Sequence, residues 1–522
     1  MTTVGEDRIA AAVESDVIAR PSPVWRVLGV GGVLAAGIVL RFLAPSDLWL
    51  DEALSVSIAR LPVSDIPEAL RTDGAPPLYY VLLHGWMVAF GGGDAAVRAF
   101  SGVASAATLP VLWFIGRRLG GRGPAAVLVI AATNPFALHY ATETRMYSLV
   151  ALEVALGTLA LLRALDRPTW PRLLALAAAA AALLLTHYWG IYLVTAVGIG
   201  MTAVALRGTA RWRHPARRAL LALVAGALAF MPWLPLLLFQ ARHTAAPWGR
   251  PPRPGNVVTL VTEFSGGSSE AARLLGLVLF VLVLLGLFAR RVAQGVLELR
   301  LPPRAVAGAL AGAVLGTTGI AVTAGLVTGT PFVGRYVSVV LVPFLLLAAM
   351  GVVALADSRP QALALATVAS LGLAVGAQRA TVNRTQAGEV AQSITALARP
   401  GDVVAFCPDQ LGPSVHRVLP EGLGLHLTTY PKGLAPTHVD WVDYGRAIRA
   451  SDPAAFGRRL LERAGPDHDV FLYWRDGFRP FGTRCSTLRE HLAAGRSREV
   501  VVGEPKTRSR YEHGTLSRYP AP

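Results

Sequence analysis

The feature that most constrains this chain is a succession of apolar runs, each about 14–24 residues long, separated by polar loops. A helix of about 17–25 residues crosses the hydrocarbon of a bilayer, where a helix alone among open segments satisfies its own backbone. Runs fall at about Val27 to Ala44, Ala99 to Ile115, Ala125 to Tyr140, Met146 to Leu162, Leu173 to Thr186 and Gly190 to Leu206. Others fall at about Ala219 to Phe239, Leu274 to Phe288, Ala305 to Val327, Val333 to Ala356 and Ala362 to Gly376. They predict a polytopic α-helical membrane protein with about eleven transmembrane helices. Composition agrees, because 53% hydrophobic and 16% charged residues are too apolar a mixture for an ordinary soluble domain. The stretch Met1 to Arg20 is polar, mixed in charge and without a signal-peptide layout, so the first run is read as a retained span.

Arginines orient the bundle. The run Pro76 to Phe90 is short, is interrupted by His84 and ends in Gly91-Gly92-Gly93-Asp94, so it reads as an interfacial helix inside a large first outer loop, about 45–98. A crossing there would put Arg117, Arg118 and Arg122 outside, against the charge rule. With the helix in the interface, the loops carrying Arg163, Arg167 and Arg172, the run Arg207 to Arg218, and Arg290 to Arg304 all fall inside. The N-terminus is then cytoplasmic and the membrane is the plasma (inner) membrane. The net charge of +16 is topogenic on this reading, and no module appears that would bind nucleic acid.

Past about Arg379 charge, Pro and His rise and the spans stop. Residues 1–379 read as the transmembrane domain and 380–522 as an extracytoplasmic soluble α/β domain. Strands are expected at Gly401 to Phe406 and Asp469 to Trp474, and helices near Val390 to Ala398 and Phe456 to Ala464. Cys407 and Cys485 fall in this domain; a disulfide and two reduced buried thiols both fit the spacing.

Few polar residues lie at the outer ends of the spans: Asp51, Glu52, Asp73, Glu143, Arg145, His187 and Arg335. Distant in sequence, they share one level of the protein. Acids held against hydrocarbon are functional candidates. A carboxylate can take a proton from an acceptor hydroxyl, and guanidinium groups hold phosphate through forked hydrogen bonds. A base beside a phosphate cradle suits group transfer from a lipid phosphate. Bland readings stand beside this one. Asp51 and Glu52 could cap an interfacial helix, Glu143 and Arg145 could be structural glue, His187 an interfacial anchor, and Arg335 a snorkelling side chain.

Together these stretches resemble the GT-C membrane glycosyltransferases, in the branch of the protein O-mannosyltransferases and the bacterial lipid A aminoarabinose transferase. The resemblance covers about Arg26 to Ala356. It rests on Asp51-Glu52 in the first outer loop, on Asp73 to Tyr80 as an Asp-x-His-Pro-Pro-Leu pattern, and on Arg98 before the second span. It also rests on His139 to Leu149 at the outer start of the fourth span, on Thr186-His187-Tyr188 and on Gly334-Arg335-Tyr336. Ala75 stands where that pattern has His.

The resemblance implies inverting transfer of a hexose or pentose, such as a mannosyl or arabinosyl group, from a polyprenyl-phosphate donor to an extracytoplasmic glycan, glycolipid or protein. Asp51 becomes the general base, with Glu52 its partner in catalysis. Asp73, Arg98, Tyr140, Glu143, Arg145, Tyr147, His187, Arg335 and Tyr336 become substrate-binding candidates. No metal is predicted, although Asp51, Glu52 and Asp73 could hold a divalent cation as hard oxygen ligands. Two other classes fit an envelope membrane protein: a flippase for a lipid-linked precursor, and a non-catalytic scaffold of an envelope-synthesis complex.

Overall fold

The computed structural model describes residues 23–522 apart from 245–248, 250–251, 254, 294–295, 302, 356 and 506–510. The expected polar N-terminal stretch Met1 to Arg20 lies outside the described residues, as do Arg250 and Ala356. Among the described residues, eight helices are long and apolar enough to cross a membrane: Asp94–Leu119, Tyr147–Asp166, Trp189–Arg207, Ala210–His243, Glu270–Phe288, Ala305–Thr328, Gly334–Ala354 and Ser358–Ala380. Where the first and fifth expected spans lie, the helices Gly29–Leu40 and Trp170–Thr186 are apolar but shorter. The expected interfacial helix is Leu78–Phe90, also too short to cross alone.

One expected span is broken. The run Ala125 to Tyr140 was expected to be a single helix, but the helices Gly123–Thr133 and Pro135–Ala141 meet at a bend of 56°. Pro135 removes one backbone donor and its ring disfavours a continuous helix. Asn134 satisfies the break. Its Oδ1 accepts from the Ala137 amide at 3.0 Å, and its Nδ2 donates to the Phe264 carbonyl at 2.9 Å.

Gly334–Ala354 is the post around which the other helices pack, and it is buried nearly throughout. It begins as a 3₁₀ segment, Gly334–Val340, and continues as the α-helix Leu341–Ala354. Its neighbour Glu270–Phe288 approaches so closely that a Cβ at Gly351 would run into the Leu282 carbonyl, and one at Gly286 into the Leu347 carbonyl. Small residues permit such backbone approach between membrane helices. On the outside, Leu221, Leu228, Leu277 and Leu315 are 57–64% exposed, a belt that bilayer lipid covers.

Two sheets were only partly foreseen. An antiparallel hairpin, β1 (Ala289–Ala293) and β2 (Val296–Leu299), joins two long helices where a loop was expected. The C-terminal sheet holds β3 (Val403–Cys407), β4 (His426–Thr429), β5 (Val470–Trp474), β6 (Glu499–Val502) and β7 (Thr515–Tyr519), in the order β4-β3-β5-β7-β6. Strands β4, β3 and β5 are parallel, and β7 and β6 are antiparallel to their neighbours. The uninterrupted apolar runs of β3 and β5 place them at the centre, with helices Ala387–Leu397 and Pro453–Ala464 close to the expected positions. Cys407 and Cys485 form a disulfide, with Cα atoms 5.6 Å apart.

Candidate active site

Asp51 and Glu52 open the helix Leu50–Ala59, and their side chains part company. Glu52 is fully buried. Its Oε1 accepts from Arg98 Nε at 2.8 Å and from the Thr144 amide at 2.9 Å, while Oε2 accepts from Arg98 Nη2 at 2.6 Å. Arg98 sends its remaining N–H groups to the carbonyls of Ala44, Ser46 and Asp47. Both groups are therefore spent on holding the first loop to the helix Asp94–Gly116.

Asp51 faces the other way, 14% exposed, and its Oδ2 pairs with Arg335 Nη1 at 2.8 Å. Arg145 completes the cradle: its Nη1 donates to Ser55 Oγ at 3.1 Å and to the Asp51 carbonyl at 3.4 Å. Beside these charges runs an arc of rings. Tyr140 lies 4.7 Å from Tyr147, Tyr147 lies 5.9 Å from His187, and His187 lies 5.2 Å from Tyr336. The break at Asn134-Pro135 delivers Tyr140 and the Thr142–Met146 turn, and the 3₁₀ segment delivers Arg335 and Tyr336.

Several buried polar atoms here have no protein hydrogen-bond partner: Glu143 Oε1, Thr144 Oγ1, Arg145 Nε, Tyr147 Oη and Arg335 Nε. Buried polar groups ordinarily find partners, so a cluster of open ones marks a place for a polar ligand. Burial pushes the Glu143 carboxyl above its usual range, with Asp51 adding to the effect and Arg384 opposing it. Glu143 Oε2 meets His139 Nε2 at 3.3 Å. Burial, reinforced by Arg145 and Arg335, holds His187 down at about 3, so its ring is neutral at physiological pH. Its Nδ1 accepts from the Trp189 amide at 3.1 Å, which leaves the proton on Nε2.

Asp73 stands at the rim, where its Oδ2 accepts from Tyr80 Oη at 2.9 Å. Burial pushes its carboxyl up, opposed by nearby Arg145. Asp51, Glu52 and Asp73 do not converge as a cation site: among the described residues no group of three His, Cys, Asp or Glu side chains could hold a metal ion.

Sequence reading missed three contributors. Arg384, buried just past the last long helix, donates to the Thr142 carbonyl at 2.8 Å and lies 3.7 Å from Glu52 Oε2. Tyr511 and Glu512 reach the start of the Asp51 helix from the C-terminal domain. The signal available for Arg384 was an arginine shortly after the last long apolar helix, on the side that the sequence reading makes outer, against the topogenic bias.

This bundle, with its C-terminal α/β part, has an ArnT-like fold, and the chain is a multi-span membrane protein of that fold. Residues 74–236 match the dolichyl-phosphate-mannose-protein mannosyltransferase family. ArnT from Cupriavidus metallidurans bound to undecaprenyl phosphate is similar over 95% of this chain and 98% of its own, with a TM-score of 0.60 and 14% identity. The same protein in the apo state gives a TM-score of 0.60 and 15% identity over the same shares. No curated protein matches the chain.

Proposed function

We propose that the protein transfers a sugar from a polyprenyl-phosphate donor to an extracytoplasmic acceptor, with Asp51 as general base. The observation that carries this reading is the pairing of Asp51 with Arg335 beside Arg145, amid a cluster of buried polar atoms that stand open. The bound undecaprenyl phosphate of the similar ArnT structure supports a lipid phosphate as the donor's carrier.

The donor phosphate competes with Asp51 for Arg335 and, with Arg145, draws the guanidinium groups onto its oxygens. Asp51 is released to accept the proton of an acceptor hydroxyl. The hydroxyl oxygen attacks the anomeric carbon from the face opposite the phosphate. The bond from that carbon to the phosphate oxygen breaks, its electron pair leaves on polyprenyl phosphate, and the configuration inverts. Tyr140, Tyr147, His187 and Tyr336 line the sugar, and Asp73 and Glu143 bound the acceptor side. Glu52 and Arg98 act by position, since their hydrogen bonds are directed at each other and at the loop. The disulfide Cys407–Cys485 supports an extracytoplasmic C-terminal domain and an inner-membrane location, because such bonds persist in oxidising compartments.

The test is Asp51→Asn in membranes from a deletion strain, assayed with undecaprenyl-phosphate-linked pentoses and hexoses. Transfer is expected to fall by about 10²- to 10⁴-fold. A correctly folded variant with full activity rules out Asp51 as the base.

A further inference from the structure

The segment Tyr511 to Gly514 returns from the C-terminal domain to the helix that carries Asp51. Its main chain is tied to the strand-like stretch after the last long helix: the amides of Tyr511 and Glu512 donate to the Arg384 carbonyl at 2.9 and 3.1 Å. The Gly514 amide donates to Gln386 Oε1 at 3.0 Å, and Thr385 and Glu512 form a parallel bridge.

From this anchored backbone two side chains reach across. The Tyr511 ring meets Trp49 edge-on, with centroids 5.3 Å apart. Glu512 Oε2 accepts from the Leu50 amide at 3.1 Å, while Ser414 Oγ donates to Oε1. Leu50 is the first residue of the helix Leu50–Ala59, and Trp49 in front of it makes no side-chain cap. A helix start needs acceptors for its free amides and favours negative charge. Asp51 and Glu52 supply the charge from within the first turn, and another domain supplies the acceptor for the Leu50 amide. The grip extends along the helix: Leu50 and Leu54 pack into the core of the C-terminal domain beside Trp441, Tyr444 and Phe481. Arg384, whose carbonyl holds Glu512, sends its guanidinium to Thr142 and Glu52. Asp51 thus sits one residue after a cap that belongs to the C-terminal domain.

We propose that Glu512 is a positioning residue for Asp51, so that the C-terminal domain controls the chemical step and not only what binds. This rests on the reading of Asp51 as base. A shift of about 1 Å in a reacting group costs on the order of 100-fold in rate, so loss of the cap acts on turnover before it acts on affinity.

The full-length chain is tested as Glu512→Ala, Glu512→Gln and Ser414→Ala, with Asp51→Asn alongside. Three quantities are read: maximal transfer rate and apparent KM with an undecaprenyl-phosphate sugar, affinity for undecaprenyl phosphate, and amide hydrogen exchange across residues 50–59. In E512A the maximal rate is expected to fall about 10- to 100-fold, with affinity for undecaprenyl phosphate within about twofold and faster exchange at the helix start. E512Q keeps an acceptor of the same shape and recovers most of the rate; S414A frees one carboxylate oxygen and loses rate severalfold. If E512A does not accumulate, S414A and E512Q carry the same comparison. An unchanged rate in E512A or S414A, a loss confined to KM or affinity, or unaltered exchange at the helix start overturns the proposal. Full activity in D51N instead overturns the base assignment itself, and the positioning role with it.

Discussion

Asp51 and Arg98 show how two charged residues of one site differ in what they can do. Every N–H of Arg98 is engaged, so Arg98→Ala leaves buried Glu52 without its hydrogen-bonded charge partner, with Arg384 3.7 Å away as the remaining cation. Breaking a buried pair in this way costs about 3–5 kcal/mol, and the expected result is a variant that melts early or fails to accumulate. Arg335 is 22% exposed and, among the described residues, its ion pair is with Asp51, so Arg335→Ala should keep the fold and lose donor affinity. The competition for Arg335 makes a sharper prediction. Asp51→Asn removes the internal rival of the phosphate, so undecaprenyl phosphate should bind about fivefold tighter, equivalent to ~1 kcal/mol for a partly exposed pair. Titration calorimetry reads this directly, and weaker binding in D51N would contradict the exchange of partners. Asp51, Arg145, His187 and Arg335 were legible in the sequence as polar residues at span ends, because span ends share a level. The mutual capture of Glu52 and Arg98 was not legible, because partner choice depends on side-chain direction at a helix start.

At the scale of elements, the broken span and the central post position the site. A continuous helix through Asn134 and Pro135 would carry Tyr140 away from Tyr147, whereas the 56° bend brings the rings to 4.7 Å. The pattern Thr133-Asn134-Pro135 was visible as a helix breaker, but hydropathy alone runs straight through it. The post depends on close approach at Gly351. Gly351→Val places two methyl groups where the Leu282 carbonyl lies, and the expected destabilisation is about 1–3 kcal/mol, seen as a lower melting temperature in detergent. A melting temperature equal to wild type would show that the helices separate without cost.

For the whole molecule, the C-terminal domain is built into the site and does not hang beside it. Its disulfide closes a separation of 78 residues, and the chain-entropy argument assigns it about 4.5 kcal/mol. Reduction, or Cys407→Ala with Cys485→Ala, should loosen the domain and, through Glu512, lower transfer; limited proteolysis together with an activity assay reads both. Two buried carboxyls there, Asp409 and Glu512, are pushed up to about 7, chiefly by burial. Their folded-state values lie above those of the unfolded chain, at about 4. Their contribution to stability is therefore complete below about pH 4 and is lost as pH rises through about 7. Thermal melts should show the domain's stability falling across that window, and the fall should flatten in a variant with both Asp409→Asn and Glu512→Gln. An equally steep fall in the double variant would assign the effect to other groups.

The apolar runs by themselves determined a helical membrane bundle and its approximate spans, because bilayer thickness and backbone hydrogen bonding leave a spanning chain little choice. They also determined that the region after Arg379 is a different kind of structure, since charge and Pro exclude further spans. Only tertiary structure decided which acid is open and which is buried, that Arg384 reaches Glu52 and Glu512 the Leu50 amide, and that Cys407 meets Cys485. Those outcomes depend on contacts between residues hundreds of positions apart, for which local periodicity carries no signal.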